Sequence, residues 1–549
     1  MGDPAPPAAE SGRRIWPEAL LAAALAVAAL FATAPHIGLT WDEPAYIRAA
    51  EVYQAWFAEL AADPAAALSE ESVRIHWRFN AEHPPLDKVW SGFVWQALRG
   101  VTDDLTAHRG GNILLTGLLV AVLYLWLART HGRTSAWIAV GALLTMPRFF
   151  FHAHLAALDV PATAAMVAVA YFFWSTSARP GWGSTIGFGL ALGAALAFKS
   201  SALLLAPVLL AWTLLCRPRL SLLLRLGLGA GLAVGVFILL WPWLYHATLD
   251  RLLGHLRFLT TEHWAIPQWY LGRLHEQPPW HFPIVITLAV VPLTILVAAA
   301  WGGVRVVMGA RAGSAGWLML LGAAAPIALL ALGANRVYDN ERLLMPAFPF
   351  IAALAGIGMG WISARIGGAH SSGRRRVLRR AAGCSLVAIL FLPQVFSGAA
   401  LYPHLLSYYS LAVGGVRGAA RLGLETTYWC DTYAAAVPFL NAQAPPRSRI
   451  WVQDYSADVL IYYQREARLR RDLQIIWPRD GLSVFVGRGA PTRPTELAQA
   501  DYVLWQYRQS GLTPELARWL SERQPIHAVR RCGLSLMEIY RAGAAPSGP

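Results

Sequence analysis

Charge is what this chain of 549 residues has least of: 14% of it is Asp, Glu, Lys or Arg, against about 25% in ordinary soluble domains. With 56% hydrophobic residues and a mean hydropathy of +0.42, that shortage excludes a disordered chain. The length excludes a single compact domain of about 100–200 residues. Cysteine is scarce as well, four in all, and its spacing excludes a disulfide-framed secreted scaffold. Lysine is nearly absent. Lys88 and Lys199 are the only two, so the basic complement is almost wholly arginine and each surviving lysine is a candidate for a task. A net charge of +14 would suit a nucleic-acid partner. The basic residues, however, sit in short loops between apolar runs, and no nucleic-acid motif accompanies them, so nucleic acid is set aside.

What is present is a succession of apolar runs, several of which reach the ~20 residues needed to cross a hydrocarbon core. They fall at about 15–34, 109–128, 134–151, 160–176, 183–199, 200–216, 226–244, 282–301, 315–333, 343–362 and 381–400. Residues 1–14 read as a disordered cytoplasmic tail. The first run lacks a small-residue cleavage site, so it reads as a retained helix. Acidic residues are missing from alternate loops. With the N-terminus in the cytoplasm, the inner loops hold Arg129, Arg133, Arg179, Arg217, Arg219, Arg225, Arg305, Arg311 and the arginine cluster 365–380, with no Asp or Glu. The outer loops hold Asp42, Glu43, Glu82, Asp87, Asp159, Asp339 and Glu341, among others. That segregation is what membrane orientation requires. The expected fold is therefore a polytopic α-helical membrane protein of about 11 transmembrane helices over residues 15–435. Its first (35–108) and fourth (245–281) outer loops are long, with surface helices at 43–60 and 86–99.

After residue 400 the composition changes. Short β-rich pieces (449–453, 501–505, 535–540) alternate with helical ones (456–467, 514–523), which predicts a small extracytoplasmic α/β domain over 436–549. Cys430 and Cys532 fall in the outer compartment, where a disulfide between them is an expectation.

Three outer segments carry acids or histidines at the mouths of spans. Asp42-Glu43-Pro44 follows the first run. Adjacent carboxylates there repel and lose water unless a cation compensates; equally, Asp42 is an N-cap ahead of Pro44. In Glu82-His83-Pro84-Pro85-Leu86-Asp87-Lys88, the prolines preset a helix entry beside an acid, an imidazole and a cation; it also reads as a plain turn with surface charges. His152, His154 and Asp159 make a metal half-site, or Asp159 caps a span. The run interiors are nearly bare of charge, Lys199 excepted, which argues against a transporter or flippase of lipid-linked saccharides and for chemistry at the outer surface.

These blocks, together with "FKSSALLLAP", "NERLLMPAFPFIAALAGIG" and Tyr402-Pro403-His404-Leu405-Leu406-Ser407-Tyr408-Tyr409 before Tyr428-Trp429-Cys430-Asp431, resemble the C-type membrane glycosyltransferases. The branch is family 39, that of the protein O-mannosyltransferases and aminoarabinose transferases. The resemblance covers about residues 15–435, and a glycine is expected where Cys430 stands. It implies transfer of a sugar from a polyprenyl-phosphate donor to a hydroxyl of a protein, lipid or cell-envelope glycan, with inversion if a single displacement occurs. On that resemblance Asp42 is the base, Glu43 orients the acceptor or holds Asp42, and Asp159 binds acceptor or metal. Lys88, Lys199 and Arg342 are the candidates for the lipid phosphate; His83, Glu82 and His154 are the candidates for substrate or metal. A divalent metal ion is the only cofactor the pattern suggests. The alternatives are the transporter and a non-catalytic relative that binds a partner. The implied location is a bacterial inner membrane.

Overall fold

The computed structural model describes residues 15–542 except 217–219, 263–265, 310–313, 334–336, 368–373, 454–455, 478–483 and 485–496. The predicted tail and the loop residues Arg217, Arg219 and Arg311 lie outside these. Every predicted apolar run coincides with an apolar helix or a bent helix pair, because a backbone stripped of water must satisfy its polar groups internally. Among the described residues six helices are long and apolar enough to cross a membrane: Ile15–His36, Asp104–His131, Asp159–Ala178, Leu220–Leu239, Arg342–Ile366 and Ala381–Leu401. A seventh span is made if Phe282–Val290 and Leu293–Gly309, bent by 115°, are taken together. The remaining four predicted runs form the shorter helices Arg133–Leu144, Trp182–Phe198, Ser200–Leu214 and Ala315–Ala331. The expected number of eleven crossings is thus not fixed by helix length.

Small residues bring these helices together. A Cβ at Gly302 would stand 1.9 Å from the Leu354 carbonyl oxygen, and one at Gly358 2.5 Å from that of Ala298. Helices 293–309 and 348–367 therefore cross with their backbones in contact, the packing that lipid-embedded helices favour.

The loop 35–108 folds into helices that include Glu43–Ala62, Glu70–Trp77 and Leu86–Leu98. The first and last match the predicted surface helices. Tyr53, Trp56 and Trp77 form a small aromatic core between them, with the Tyr53 and Trp77 rings stacked 4.4 Å apart. In the fourth loop, β1 (Gln268–Tyr270) pairs antiparallel with β2 (Arg273–His275).

The C-terminal domain is built on β3 (Arg449–Trp451), β4 (Gln474–Ile476), β5 (Tyr502–Gln506), β6 (His527–Arg531) and β7 (Leu534–Arg541). Their order is β4-β3-β5-β7-β6, parallel through β5 and antiparallel beyond it. Helix Tyr433–Gln443 begins ahead of the predicted boundary at 436 and packs Tyr433, Ala436 and Leu440 into the core of this sheet. The same core takes in Leu39, Ile47 and Leu105 from the first loop and its flanks.

The predicted disulfide is not formed. Cys430 is buried beside Ser456 Oγ, 3.1 Å away, whereas Cys532 is exposed in the turn between β6 and β7; both are free thiols. Cys430 has a φ of 65°. That left-handed conformation favours glycine, the residue the resemblance implies at this position.

Candidate active site

The site assembles around one guanidinium. Asp339 and Asn340 both adopt left-handed backbone conformations, φ 49° and 52°, which these residue types tolerate better than most. The resulting tight turn starts the short helix Arg342–Ala347 and turns the Arg342 side chain back over Asp339. Arg342 is buried and donates to three carboxylates: Nε to Asp159 Oδ2 at 3.1 Å, Nη1 to Asp339 Oδ2 at 2.8 Å and Nη2 to Asp42 Oδ2 at 2.7 Å. Its flat face lies 4.0 Å from the centroid of Trp429, a cation–π contact.

Each carboxylate arrives from a different element. Asp42 occupies the N-cap position of helix Glu43–Ala62, where Pro44 presets the first turn, yet its side chain makes no capping bond. It turns to Arg342 instead, which removes the capping reading. Asp159 opens helix Asp159–Ala178, where the partial positive charge of the helix N-terminus favours it. Its Oδ1 accepts from Lys199 Nζ at 2.6 Å. Lys199 sits in extended backbone at the pinch between helix Trp182–Phe198 and the turn Ser200–Leu204. Asp339 also accepts from Trp429 Nε1 at 3.3 Å and, at 3.4 Å, from Arg508 of the C-terminal domain.

Of the three carboxylates Asp42 alone reaches solvent appreciably, at 23% side-chain exposure against 2% and 1% for Asp159 and Asp339. Burial raises its pKa above the ordinary carboxylate value, against the pull of Arg342 and with help from Asp339 and Asp159. His83 stands on the same side. Burial first, then Lys88, Lys199 and Arg342, hold its pKa well below the ordinary imidazole value, so the ring is neutral. Tyr46, four residues on from Asp42, meets His83 edge to face, with centroids 6.2 Å apart.

Several predicted site residues stand elsewhere. Glu43 is fully buried and bound to Arg109, with both oxygens 2.7 Å from the guanidinium. It also accepts from Thr40 N at 2.9 Å and Ala156 N at 3.0 Å. With its lone pairs spent on the turn that carries Asp42, it has none to offer an acceptor. Lys88 is buried and gives its ammonium protons to Asn80 Oδ1, Asn80 O and His83 O, at 2.8, 3.3 and 3.0 Å. Burial lowers it to about 7. Glu82 accepts from Asn80 Nδ2 at 2.8 Å, completing the same turn. His154 bridges Thr33 Oγ1 and Phe150 O, at 2.8 and 2.7 Å. His152 faces Glu341, 3.2 Å away, and the Trp429 ring. The half-site of His152, His154 and Asp159 is therefore dispersed, its three side chains bound to three different partners. Among the described residues no three His, Cys, Asp or Glu side chains are grouped to hold a metal. The donors present do not fit one, since each site carboxylate is matched by a cation.

The reading of the sequence missed Arg109, Arg148, Asp339 and Arg508. Arg148, buried, pairs with Glu341 and lies over Tyr409. Arg109 and Arg148 did leave a signal: each is a lone charge within a predicted apolar run, where an ionisable group demands a partner. Arg508 left none, since its place depends on how the C-terminal domain docks.

Residues 83–246 match the family model of the dolichyl-phosphate-mannose-protein mannosyltransferases. Across nearly the whole chain the backbone is similar to that of ArnT from Cupriavidus metallidurans. The apo structure matches with a TM-score of 0.52 at 17% identity, covering 98% of this chain and 100% of that one. The undecaprenyl-phosphate-bound structure matches at 0.52 and 18%, covering 97% and 99%. The fold is that of the C-type membrane glycosyltransferases. No curated protein matches the chain by sequence. In this C-type fold the resemblance read from residues 15–435 extends through the C-terminal domain, which the sequence motifs did not reach.

Proposed function

We propose that this protein is a membrane glycosyltransferase that moves a sugar from a polyprenyl-phosphate donor to an acceptor hydroxyl at the outer face of a bacterial inner membrane. The observation that carries the reading is the contact between Asp42 and Arg342: the most exposed carboxylate of the cluster, with a raised pKa, bonded to the cation that also holds Asp159 and Asp339. The solved relative bound to undecaprenyl phosphate supports the class of donor.

The chemistry balances without a covalent intermediate. The acceptor O–H gives its proton to Asp42 as its oxygen bonds to the anomeric carbon. The bond from that carbon to the phosphate oxygen breaks, and the lipid phosphate leaves with one more negative charge. One charge thus passes from Asp42 to the leaving phosphate. Arg342 and Lys199 are placed to follow it. A protonated Asp42 loosens its hold on Nη2, and Lys199 has one carboxylate partner for three protons. A single displacement of this kind inverts the anomeric centre. Asp42 acts mainly by position, because an alcohol gives up its proton only as the new bond forms. Glu43 and Lys88 serve as positioning residues, one for the Asp42 turn and the other for the His83 turn.

The transporter reading expects ionisable groups at helix breaks near midplane. The bent pair 282–290 and 293–309 breaks at Val291 and Pro292, which carry no charge. Comparing cells with and without the gene tests the reading. The lipid-linked sugar accumulates and one envelope glycan, glycolipid or glycoprotein is lost; unchanged pools overturn the proposal.

A further inference from the structure

Among the described residues, the C-terminal domain reaches the Asp42–Arg342–Asp339 cluster through the side chain of Arg508. Arg508 lies just past β5, is buried, and uses every edge of its guanidinium. Nε donates to Ser510 Oγ at 2.9 Å, Nη1 to Tyr428 O at 2.9 Å and Nη2 to Asp339 Oδ1 at 3.4 Å. Its face covers the indole of Trp41, 3.8 Å from the centroid. Trp41 immediately precedes Asp42, and its backbone N–H donates to the Trp429 carbonyl oxygen at 3.2 Å. Asp339 is the carboxylate that Arg508 shares with Arg342.

The backbone carrying Arg508 is itself clamped. Ser510 N and Oγ both donate to the buried Glu425, at 2.7 and 2.8 Å. On the other side Gln506 accepts from Cys430 N at 3.1 Å and donates to Thr427 Oγ1 at 2.9 Å. Arg508 therefore stands where the segments around 41, 339 and 428 meet and touches all three, as Arg342 does through Asp42, Asp339 and Trp429.

We propose that Arg508 is a positioning residue for the transfer, fixing Trp41 and Asp339 and through them the Asp42–Arg342 pair. The proposal rests on the glycosyltransferase reading for its kinetic consequence but not for its structural one. Without Arg508, Asp339 keeps Arg342 and Trp429 as its side-chain donors among the described residues. Its carboxylate then draws Nη1 more strongly, and the guanidinium turns away from Asp42. Trp41 loses its cover, and the turn leading to Asp42 loosens. A displacement of about 1 Å at a reacting group can cost on the order of 100-fold in rate.

The test uses the full-length protein in lipid nanodiscs. The donor is the lipid-linked sugar fraction extracted from cells lacking the gene, and undecaprenyl phosphate is the binding probe. In Arg508→Gln, turnover at saturating donor falls about 10- to 100-fold. Donor KM and undecaprenyl-phosphate affinity stay within about threefold, the split expected when alignment rather than binding is lost. Amide exchange across residues 38–43 rises while the melting temperature stays within about 3 °C. Arg508→Lys keeps the charge facing Asp339 without the planar fork and recovers part of the turnover. Arg470→Gln, which breaks the surface pair with Asp472 in the same domain, changes neither turnover nor exchange. Wild-type turnover and exchange in Arg508→Gln overturn the proposal. So does a rate loss matched by equal losses of lipid binding and melting temperature. Should Arg508→Gln not fold, Arg508→Lys decides: reduced turnover at unchanged KM supports the role, and wild-type turnover removes it. If the wild-type protein transfers nothing, the preceding reading fails, while exchange at 38–43 still judges the positioning.

Discussion

At the scale of single residues the outcome turns on where each carboxylate spends its lone pairs. Asp42 and Glu43 are adjacent in sequence and nearly equivalent in chemistry, yet Glu43 is saturated by Arg109, Thr40 and Ala156 while Asp42 keeps an exposed edge. Asp42→Asn preserves the shape and removes the base, so transfer falls about 10³-fold, within the usual range for general base catalysis, with expression and melting temperature unchanged. A reconstituted transfer assay checks this. The pH dependence has a definite sign. The base works only when ionised, so the rate falls as pH drops through the Asp42 pKa. Because burial raises that pKa, the acid limb lies above the range of a free aspartate. An acid limb at or below the ordinary carboxylate value in a pH–rate profile would count against Asp42 as the base. Asp42, Asp159 and Arg342 were legible because each stands where a charged loop meets an apolar run. That Glu43 and Lys88 work structurally was not legible, since it depends on Arg109 and on backbone carbonyls brought near only by the fold.

At the scale of elements, helix Leu86–Leu98 packs on helix Asp104–His131 with an unusual polar contact between them. Asp87 and Asn112 are both buried, they face one another, and each has an Oδ1 with no donor. The Asn112 amide protons are committed to Leu155 O and Ala157 O, at 2.7 and 2.9 Å, so the amide cannot flip to help. A protonated Asp87 supplies the donor that these two oxygens lack, and burial favours that form against the pull of Lys88 and the Asn112 side chain. Burial pushes its pKa up to about 7. The folded state then binds the proton more tightly than the unfolded one. The resulting stability is complete below the ordinary value of 3.8 and is lost as pH rises through about 7. Asp87→Asn supplies an N–H donor at every pH. The variant melts several degrees above wild type at pH 8, at most about 4 kcal/mol more stable, and matches it near pH 4. Equal melting curves at pH 8 would refute the protonated contact. The long helices at this scale were readable from apolar runs alone. The ribbon β1–β2 and the strands β4 and β6 were not. The ribbon strands and β4 have only three residues each, too few for alternation to register, and the charge-rich β6, from His527 to Arg531, gains its partner only through β7.

At the scale of the whole molecule, the boundary expected at 436 is a chemical one and not a mechanical one. Leu39 and Ile47 flank the Asp42 turn, and they pack in the same core as Ile450, Val452, Leu460 and Tyr463 of the C-terminal domain. The buried N–H of Leu39 donates to Tyr463 Oη at 2.8 Å, and at Gly38 a Cβ would stand 2.0 Å from the Asp431 carbonyl oxygen. The first loop is thus folded partly by residues more than four hundred positions away, which is why no local pattern could announce the arrangement. The smallest test is Tyr463→Phe. It leaves the Leu39 N–H buried without an acceptor, a loss of about 1–3 kcal/mol, seen as a melting temperature lower by a few degrees in heated detergent extracts run on a sizing column. The larger test is the fragment 1–435. Without the domain, Leu39, Ile47 and Leu105 lose their apolar cover, and Trp41 and Asp339 lose Arg508. The fragment is expected to aggregate, and the membrane-inserted fraction to show no transfer. A monodisperse, active 1–435 would show that the outer domain is an appendage and that the Asp42 turn holds its shape without it. Loss of activity in a fragment that stays monodisperse would instead separate the two contributions, leaving the helical bundle as a folding unit whose reaction centre is completed from outside by the C-terminal domain.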